Sequence, residues 1–327
     1  MPKTAWLIAL GLGAIAGRAF AESGTVMPAV FEQGMVFVDM PAPDHSKVRM
    51  FTDSAGPTAF TLSAEAAARL ELRLHTTTNE ALLAWLGPNV RVASAGEYMR
   101  QHWRPLGPAQ QFVINPGAPG FQGYPPTADG TFGEHWFAHH TWTWDYQRAK
   151  LLLRPEHWHP PADAREFTVS FQTDAAGRRT FNYPRMMIRV DGAELPVLFD
   201  TGAGTVLTPT ALNALADGKP ARRSTSVIAH SVFERWHQGH ADWRVLDDAQ
   251  LKTHSRMILV EDVEVAGTSL GAVWFTERDD EGIHGILSSS MSGQVEGSIG
   301  PNAFAGSVIS VDYPSARAWV QTKASRH

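Results

Sequence analysis

The chain of 327 residues contains no cysteine, so it has neither a disulfide framework nor a thiol nucleophile. It also lacks a basic cluster: 28 Lys and Arg stand against 33 Asp and Glu, which gives a net charge of −5 at pH 7. A nucleic-acid partner is therefore not expected.

Charged residues make up only 19% of the chain, whereas 43% are hydrophobic. This composition excludes a disordered chain and predicts a globular protein with a large core.

Long apolar segments are scarce as well, since nothing after the N-terminal stretch approaches the roughly 20 apolar residues of a transmembrane helix. Residues 1–21 combine Lys3, a short apolar stretch and the sequence Ala19-Phe20-Ala21. This order predicts a secretory signal peptide cleaved after Ala21, the alternative being an uncleaved membrane anchor. We therefore expect a periplasmic or secreted protein with no stable membrane insertion after cleavage.

The rest of the chain has mostly the pattern of short strands, rich in β-branched or aromatic residues and bounded by Gly, Pro or Asp. Helical patterns are few, the best being residues 64–74 and 209–216. The segment RPEHWHPP, which begins at Arg154, cannot lie inside a helix or a central strand. It predicts a linker at 154–165 between an N-terminal lobe, 22–153, and a C-terminal lobe, 166–327.

An internal repeat supports this division into two lobes. Residues 129–138 align without gaps on 296–305, and the register continues into the following strands. Gly133 then falls on Gly300, and Tyr146 falls on Tyr313. The halves are thus predicted to be copies of one unit.

The repeat extends upstream, where residues 51–61 align without gaps on 198–208, and each copy then enters a predicted helix. Asp53 and Asp200 occupy equivalent places, each at the end of an apolar strand and before a turn of small residues. Two lobes packed about a pseudo-twofold axis bring these carboxyl groups together, so that they share one proton. Such a pair activates water for attack on an amide by general acid–base catalysis.

The residues 195–203, LPVLFDTGA, resemble the D-T-G-A signature of retropepsin-type aspartic proteases. Downstream, residues 298–304 and 311–313 resemble the apolar-Gly turn, short helix and closing strand of that family. The resemblance covers most of residues 165–322 and, through the repeat, extends more weakly to 30–153. It implies a mainly β, two-lobed aspartic-protease-like fold, produced by internal duplication, with the active-site cleft between the lobes. Both lobes lie in one chain, as in pepsins.

The resemblance also implies the site. Asp53 and Asp200 form the catalytic dyad of an exported endopeptidase, with no cofactor and no metal. Ser54 and Thr201 brace the two loops, each hydroxyl bonding the opposite backbone. The remaining support comes from the other small residues of the two turns: Ala55, Gly56, Gly202 and Ala203. The expected partner is a peptide or an unfolded protein, and we expect a monomer.

One residue departs from the family pattern, because Ala55 stands where the active-site triplet has glycine. An added methyl group is able to crowd the water or to forbid a glycine-like backbone angle. Ala55 thus favours an alternative, a catalytically silent peptide-binding protein with the same fold. The spacing also differs, since 80 residues separate Asp53 from Gly133 and 100 separate Asp200 from Gly300.

Two further motifs suggest other chemistry. His135, His139 and His140 suggest a zinc-dependent hydrolase as a weaker alternative, although the order is not H-E-x-x-H. Residues 267–271 fit the G-x-S-x-G motif of serine hydrolases. The segments on both sides of that motif have strand patterns, so it is interpreted as a hairpin turn.

Overall fold

The computed structural model describes residues 24–56, 60–106, 111–114 and 127–322. The predicted signal peptide, 1–21, lies outside the described residues. Among the residues described, no helix is long and apolar enough to cross a membrane.

The described chain is mainly β, as the strand patterns predict. The strands of the N-terminal half are β1 (Thr25–Val26), β2 (Ala29–Glu32), β3 (Met35–Pro41), β4 (Lys47–Thr52), β5 (Phe60–Leu62), β6 (His75–Thr76), β7 (Arg91–Ser94), β8 (Gln111–Ile114), β9 (Gly130–Phe132), β10 (Thr141–Asp145) and β11 (Lys150–Arg154). The strands of the C-terminal half are β12 (Arg165–Thr168), β13 (Arg185–Val190), β14 (Ala193–Phe199), β15 (Gly204–Val206), β16 (Arg222–Ser224), β17 (Ser226–Ala229), β18 (Val245–Leu246), β19 (Met257–Val260), β20 (Glu264–Val265), β21 (Thr268–Ser269), β22 (Val273–Arg278), β23 (Gly297–Ile299), β24 (Ser307–Asp312) and β25 (Arg317–Thr322).

Helices are short. They are α1 (Ala64–Arg69), α2 (Glu80–Leu86), α3 (Glu97–His102), α4 (Glu134–Phe137), α5 (Pro209–Leu215) and α6 (His230–Gly239), with a π-helical segment at Glu281–Leu287 and 3₁₀ turns at Ser288–Ser290 and Pro301–Phe304. Local chemistry explains where the two predicted helices begin, whereas α1 ends at Arg69, five residues before the predicted end, because Leu70 caps it and Glu71 has a φ of 54°. Ser63 caps α1 by accepting the Ala66 N–H, and Thr208 caps α5, which begins with a proline.

Each lobe contains one large sheet, and the two sheets share a topology. In the N-terminal lobe the order is β2-β3-β4-β9-β5-β8-β7-β6; in the C-terminal lobe it is β21-β20-β13-β14-β23-β17-β22-β19-β18. Strand β4 pairs in parallel with β9, and β14 pairs in parallel with β23. The other neighbours also match: β5 is antiparallel to β9 and parallel to β8, and β17 is antiparallel to β23 and parallel to β22. This recurrence confirms the predicted internal duplication and the two-lobed fold.

A third sheet joins the lobes, with the order β1-β11-β10-β24-β25-β12. Its two central strands are the closing strands of the two repeats, and Thr143 lies opposite Ser310. These two residues are equivalent in the repeat, and their hydroxyl oxygens are 2.7 Å apart. The pseudo-twofold axis therefore passes between them. The segment between β11 and β12 contains no helix or strand.

The structure corrects the upstream alignment of the repeat. Thr61 pairs with Thr131, whereas Val227, and not Thr208, pairs with the equivalent Ser298. Thr61 lies 8 residues after Asp53, and Val227 lies 27 residues after Asp200. An insertion in the C-terminal lobe, residues 204–225, separates the aspartate turn from the equivalent strand. It accounts for nearly all of the 20-residue difference in spacing.

The insertion forms a hairpin of β15 and β16, and helix α5 lies in its loop. It contacts the N-terminal lobe, where the Ser224 N–H donates to the Gln33 carbonyl at 3.1 Å. Gly34 has a φ of +88°, and a Cβ there would lie 2.4 Å from the Ser224 Oγ. The close approach of the two lobes at this turn thus requires glycine.

Residues 267–271 contain part of a hairpin rather than a nucleophile elbow. Strands β20 and β21 are antiparallel, and Ala266 and Gly267 between them have φ values of 52° and 71°. Two successive positive φ values are typical of a type I′ turn. A hairpin is therefore present, but its turn precedes the predicted one, Ser269 lies in its second strand, and the following strand β22 pairs with β17 and β19 rather than with β20.

Candidate active site

The N-terminal aspartate turn follows strand β4 directly. The Asp53 N–H donates to the Phe132 carbonyl at 3.0 Å, which fixes the turn beside strand β9. The Ala55 N–H donates to Asp53 Oδ1 at 2.9 Å, and the Gly56 N–H donates to the Asp53 carbonyl at 3.0 Å. The carboxyl group is thus held by the backbone of its own turn.

The C-terminal turn repeats these contacts at equivalent residues. The Asp200 N–H donates to the Ile299 carbonyl at 3.0 Å. The Gly202 N–H donates to Asp200 Oδ1 at 3.0 Å, and the Ala203 N–H donates to the Asp200 carbonyl at 3.3 Å. The two aspartates therefore have the same local geometry.

Ser54 and Thr201 join the two turns across the lobes. The Ser54 N–H donates to Thr201 Oγ1 at 3.0 Å, and the Thr201 N–H donates to Ser54 Oγ at 2.9 Å. Each hydroxyl also donates to a carbonyl of the opposite lobe, Ser54 Oγ to Phe199 at 2.7 Å and Thr201 Oγ1 to Thr52 at 3.3 Å. Both side chains are fully buried. These are the reciprocal hydrogen bonds that the family resemblance implies.

This bracing brings the two carboxyl groups together. Asp53 and Asp200 share a side-chain hydrogen bond, and both residues remain partly exposed. The Asp53 carboxyl group packs directly on Gly202, where an added Cβ would lie 2.2 Å from Asp53 Cγ. Only glycine at position 202 leaves room for this contact.

The environment raises the pKa of both carboxyl groups. Burial raises the pKa of Asp53 well above its usual range, and the neighbouring Asp200 carboxylate raises it further. Burial also raises the pKa of Asp200, to about 6, while hydrogen bonds from Gly202, Ser298 and Ala203 limit the increase. The pair therefore retains one shared proton at a pH where a free carboxyl group has lost its own.

Ala55 fits the turn without a glycine-like conformation, since its φ is not positive. Its N–H donates to Asp53 Oδ1, just as the Gly202 N–H donates to Asp200 Oδ1 in the other lobe. Its side chain packs against an apolar cluster of the C-terminal lobe, formed by Leu198, Met291 and Val295. The methyl group thus has a place within the lobe interface.

Two neighbours of the pair were not identified from the sequence. Tyr183 packs against the same apolar cluster as Ala55, and the charges of Asp53 and Asp200 contribute to raising its pKa. The Ser298 hydroxyl lowers the pKa of Asp200, whereas the equivalent Thr131 hydroxyl has no hydrogen-bond partner among the described residues. Ser298 is the middle residue of strand β23 and the first residue of the segment 298–304 that resembles the family pattern, which was the signal available for it.

The structure does not gather the three histidines into a metal site. The His135 and His139 rings are nearly perpendicular, with centroids 5.9 Å apart. Within the described ranges, no group of three ligand atoms at metal-binding separation includes either residue or His140. The weaker zinc alternative thus finds no geometric support at these histidines.

The described residues contain one group with metal-ligand separation, formed by His230, Glu234 and Glu277. Arg256 Nη2 donates hydrogen bonds to both carboxylates. Its distance to Glu277 Oε1 is 2.7 Å. His230 Nδ1 lies 2.6 Å from Glu277 Oε1. The guanidinium group offsets one of the two carboxylate charges and occupies both side chains, so the cluster is interpreted as an ion-pair network of the C-terminal lobe.

No protein-family model matches the chain, and no curated protein matches it. Several solved structures do match the chain, at low sequence identity. Conglutin gamma, a basic 7S globulin from lupine seeds, matches at 11% identity and a TM-score of 0.46, over 91% of this chain and 95% of that chain. The basic 7S globulin from soybean matches at 12% identity and a TM-score of 0.46, over 92% of this chain and 95% of that chain. An aspartic proteinase from Irpex lacteus matches at 10% identity and a TM-score of 0.49, over 92% of this chain and 97% of that chain.

Proposed function

We propose that the chain is an aspartic endopeptidase whose dyad consists of Asp53 and Asp200. The observation that carries the proposal is the contact between their carboxyl groups, which the hydrogen bonds between Ser54 and Thr201 hold in register. Two carboxyl groups with raised pKa values and one shared proton are suited to acid–base chemistry near neutral pH. Each comes from a different lobe of one chain, so we propose a monomeric enzyme.

In the proposed reaction the ionised carboxylate removes a proton from water, and the water oxygen attacks the carbonyl carbon of the peptide bond. The protonated carboxyl group donates its proton to the carbonyl oxygen, which yields a neutral tetrahedral diol. The diol then returns one hydroxyl proton to the ionised carboxylate, and the protonated carboxyl group of the pair donates its proton to the nitrogen as the C–N bond breaks. The products are a carboxylic acid and an amine, and the dyad again holds one proton.

The proposed substrate is a peptide or an unfolded protein segment, because an extended chain fits a cleft between two lobes. We also propose that the enzyme acts after export, on the basis of the features of residues 1–21. The silent-binding alternative depends on Ala55. The hydrogen bond that Ala55 retains to Asp53 favours a functional turn.

The test compares wild-type protein with Asp53→Asn and Asp200→Asn on an unstructured protein substrate, with cleavage followed by mass spectrometry. We expect each substitution to lower the rate by about 10³-fold or more, and we expect a chelator to have no effect. Substrate binding without cleavage by the wild type would favour the silent-binding alternative. Cleavage that a chelator abolishes would favour a metal-dependent hydrolase.

A further inference from the structure

Glu134 is an acidic residue buried beside the N-terminal aspartate turn. Its exposed fraction is 0%, and among the described residues Asp145, at 5%, is the other buried acid. Asp145 is paired with Arg148 at 2.9 Å. A buried carboxyl group is costly unless it is hydrogen-bonded, so the partners of Glu134 decide what this residue does.

The contacts of Glu134 connect the two lobes. Its backbone N–H donates to the Gly56 carbonyl, in the turn of Asp53, at 3.3 Å. Its carboxyl oxygen Oε2 accepts the N–H of Asn182 at 2.5 Å. Asn182 belongs to the segment that precedes strand β13 of the C-terminal lobe, so Glu134 ties this segment to the N-terminal lobe.

The same segment is also attached beside the second aspartate. The Pro184 carbonyl accepts the N–H of Phe199, the residue before Asp200, at 2.9 Å. Residues 182–184 thus form a bridge, defined here as the cleft bridge, with one end at each aspartate turn. Tyr183 is its central residue.

Several contacts hold Tyr183 at the dyad. Its ring stacks on Phe181, with centroids 5.4 Å apart and an interplanar angle of 7°. It packs against the apolar cluster that contacts Ala55. Burial raises the pKa of Tyr183, and the charges of Glu134, Asp53 and Asp200 raise it further. The hydroxyl therefore shares the electrostatic environment of both catalytic candidates.

We propose that Glu134 is a positioning residue of the active site, which fixes Asn182 and thereby holds Tyr183 against the dyad, where Tyr183 contributes to substrate binding. The inference rests on the proposed function. Glu134 itself is covered and does not touch the substrate. Its carboxyl oxygen acts as a hydrogen-bond acceptor, so an amide at the same place preserves the role.

The test uses two substitutions of similar size. Glu134→Gln keeps an acceptor oxygen, and Glu134→Met removes it. We expect E134Q to leave KM within about threefold of the wild type and E134M to raise KM by about tenfold with a smaller change in kcat, because ground-state binding is lost. Asp145→Asn, which alters the other buried acid, is the matched control with unchanged KM.

A double substitution separates positioning from general stability. If Glu134 acts through Tyr183, E134M combined with Tyr183→Ala has the same KM as Tyr183→Ala alone. If the increases in KM of the two single variants multiply in the double variant, the proposal is overturned. An E134Q variant whose KM is raised as much as that of E134M would also overturn it. Should E134M fail to fold, Asn182→Gly loosens the cleft bridge without altering the carboxyl group, and the same rise in KM is expected.

Amide hydrogen exchange gives a readout that is independent of activity. The Asn182 N–H should exchange slowly in the wild type and in E134Q, and faster in E134M. Equal protection in all three proteins would overturn the proposed contact. A wild-type protein that cleaves no peptide would refute the proposed function, and exchange at Asn182 would still decide whether Glu134 holds the cleft bridge.

Discussion

Ser54 and Thr201 exchange hydrogen bonds across the lobe interface, each backbone N–H donating to the hydroxyl of the other residue at 3.0 and 2.9 Å. The two residues are 0% exposed. Their mutual bonds make the geometry of one aspartate turn depend on that of the other. Loss of either hydroxyl therefore affects both turns at once.

Thr201→Val replaces the hydroxyl by a methyl group of similar size. It leaves the Ser54 N–H and the Thr52 carbonyl without their buried partner. We expect the free energy of unfolding to fall by roughly 2–4 kcal/mol, measured by urea denaturation. Thr168→Val, the same substitution at an exposed position of strand β12, is the control and should change it by less than about 0.5 kcal/mol. Equal stability of the two variants would contradict a bracing role.

Gly202→Ala tests the close packing of the dyad. The new Cβ would lie 2.2 Å from Asp53 Cγ, so the carboxyl group has to move. A displacement of about 1 Å lowers kcat/KM by about 100-fold. Gly306→Ala is the control, because nothing lies within 4 Å of its Cβ position. A G202A variant with wild-type kcat/KM would show that this contact does not determine activity.

Ala55→Gly restores the glycine that the family motif has at this place. Because Ala55 already donates its N–H to Asp53 and packs in the interface, we expect kcat/KM to change by less than about threefold. The measurement is peptide cleavage under conditions in which the wild type is active. An increase of about 100-fold would mean that the methyl group impairs the N-terminal turn.

The pH dependence of kcat/KM follows from the two pKa values. The pair is expected to act with one carboxyl group ionised and one protonated, and burial raises the pKa of Asp200 to about 6 and that of Asp53 well above its usual range. Activity should therefore rise as the pH increases through about 6 and fall again at higher pH, when the last proton leaves the pair. A maximum near about pH 4, with activity declining through pH 6, would contradict this environment for Asp200.

The sequence was sufficient to predict the duplication, because the two copies keep their glycines and aspartates in the same register. Gly133 and Gly300, and Tyr146 and Tyr313, lie at equivalent places in the structure. The hydrogen bonds between Ser54 and Thr201 follow from the same equivalence, given the family resemblance.

The insertion at 204–225 was not predictable from local patterns. Strand β15 and helix α5 follow Asp200 with the same turn, strand and helix order that β5 and α1 show after Asp53. Which strand completes the sheet depends on the distant partner β23, which selects β17. A gap-free alignment therefore placed Thr208 on Thr61, although Val227 is its equivalent.

Glu134 was missed for a related reason. In the sequence it lies beside the histidines and at the start of a short helix, where an acidic residue is usually exposed and favoured by the helix dipole. Its carboxyl oxygen accepts from Asn182, which is 48 positions away. No local signal reports a partner at that distance.

Mixing two substituted proteins tests whether the dyad is formed within one chain. Asp53→Asn and Asp200→Asn are assayed separately and together on one peptide, at concentrations equal to the wild type. We expect cleavage by the wild type only, because the dyad is formed within one chain. Activity retained by D53N alone would show that two copies of the C-terminal lobe form the site, and activity restored only by mixing would show that Asp53 and Asp200 come from different chains; either result would contradict a dyad formed within one chain.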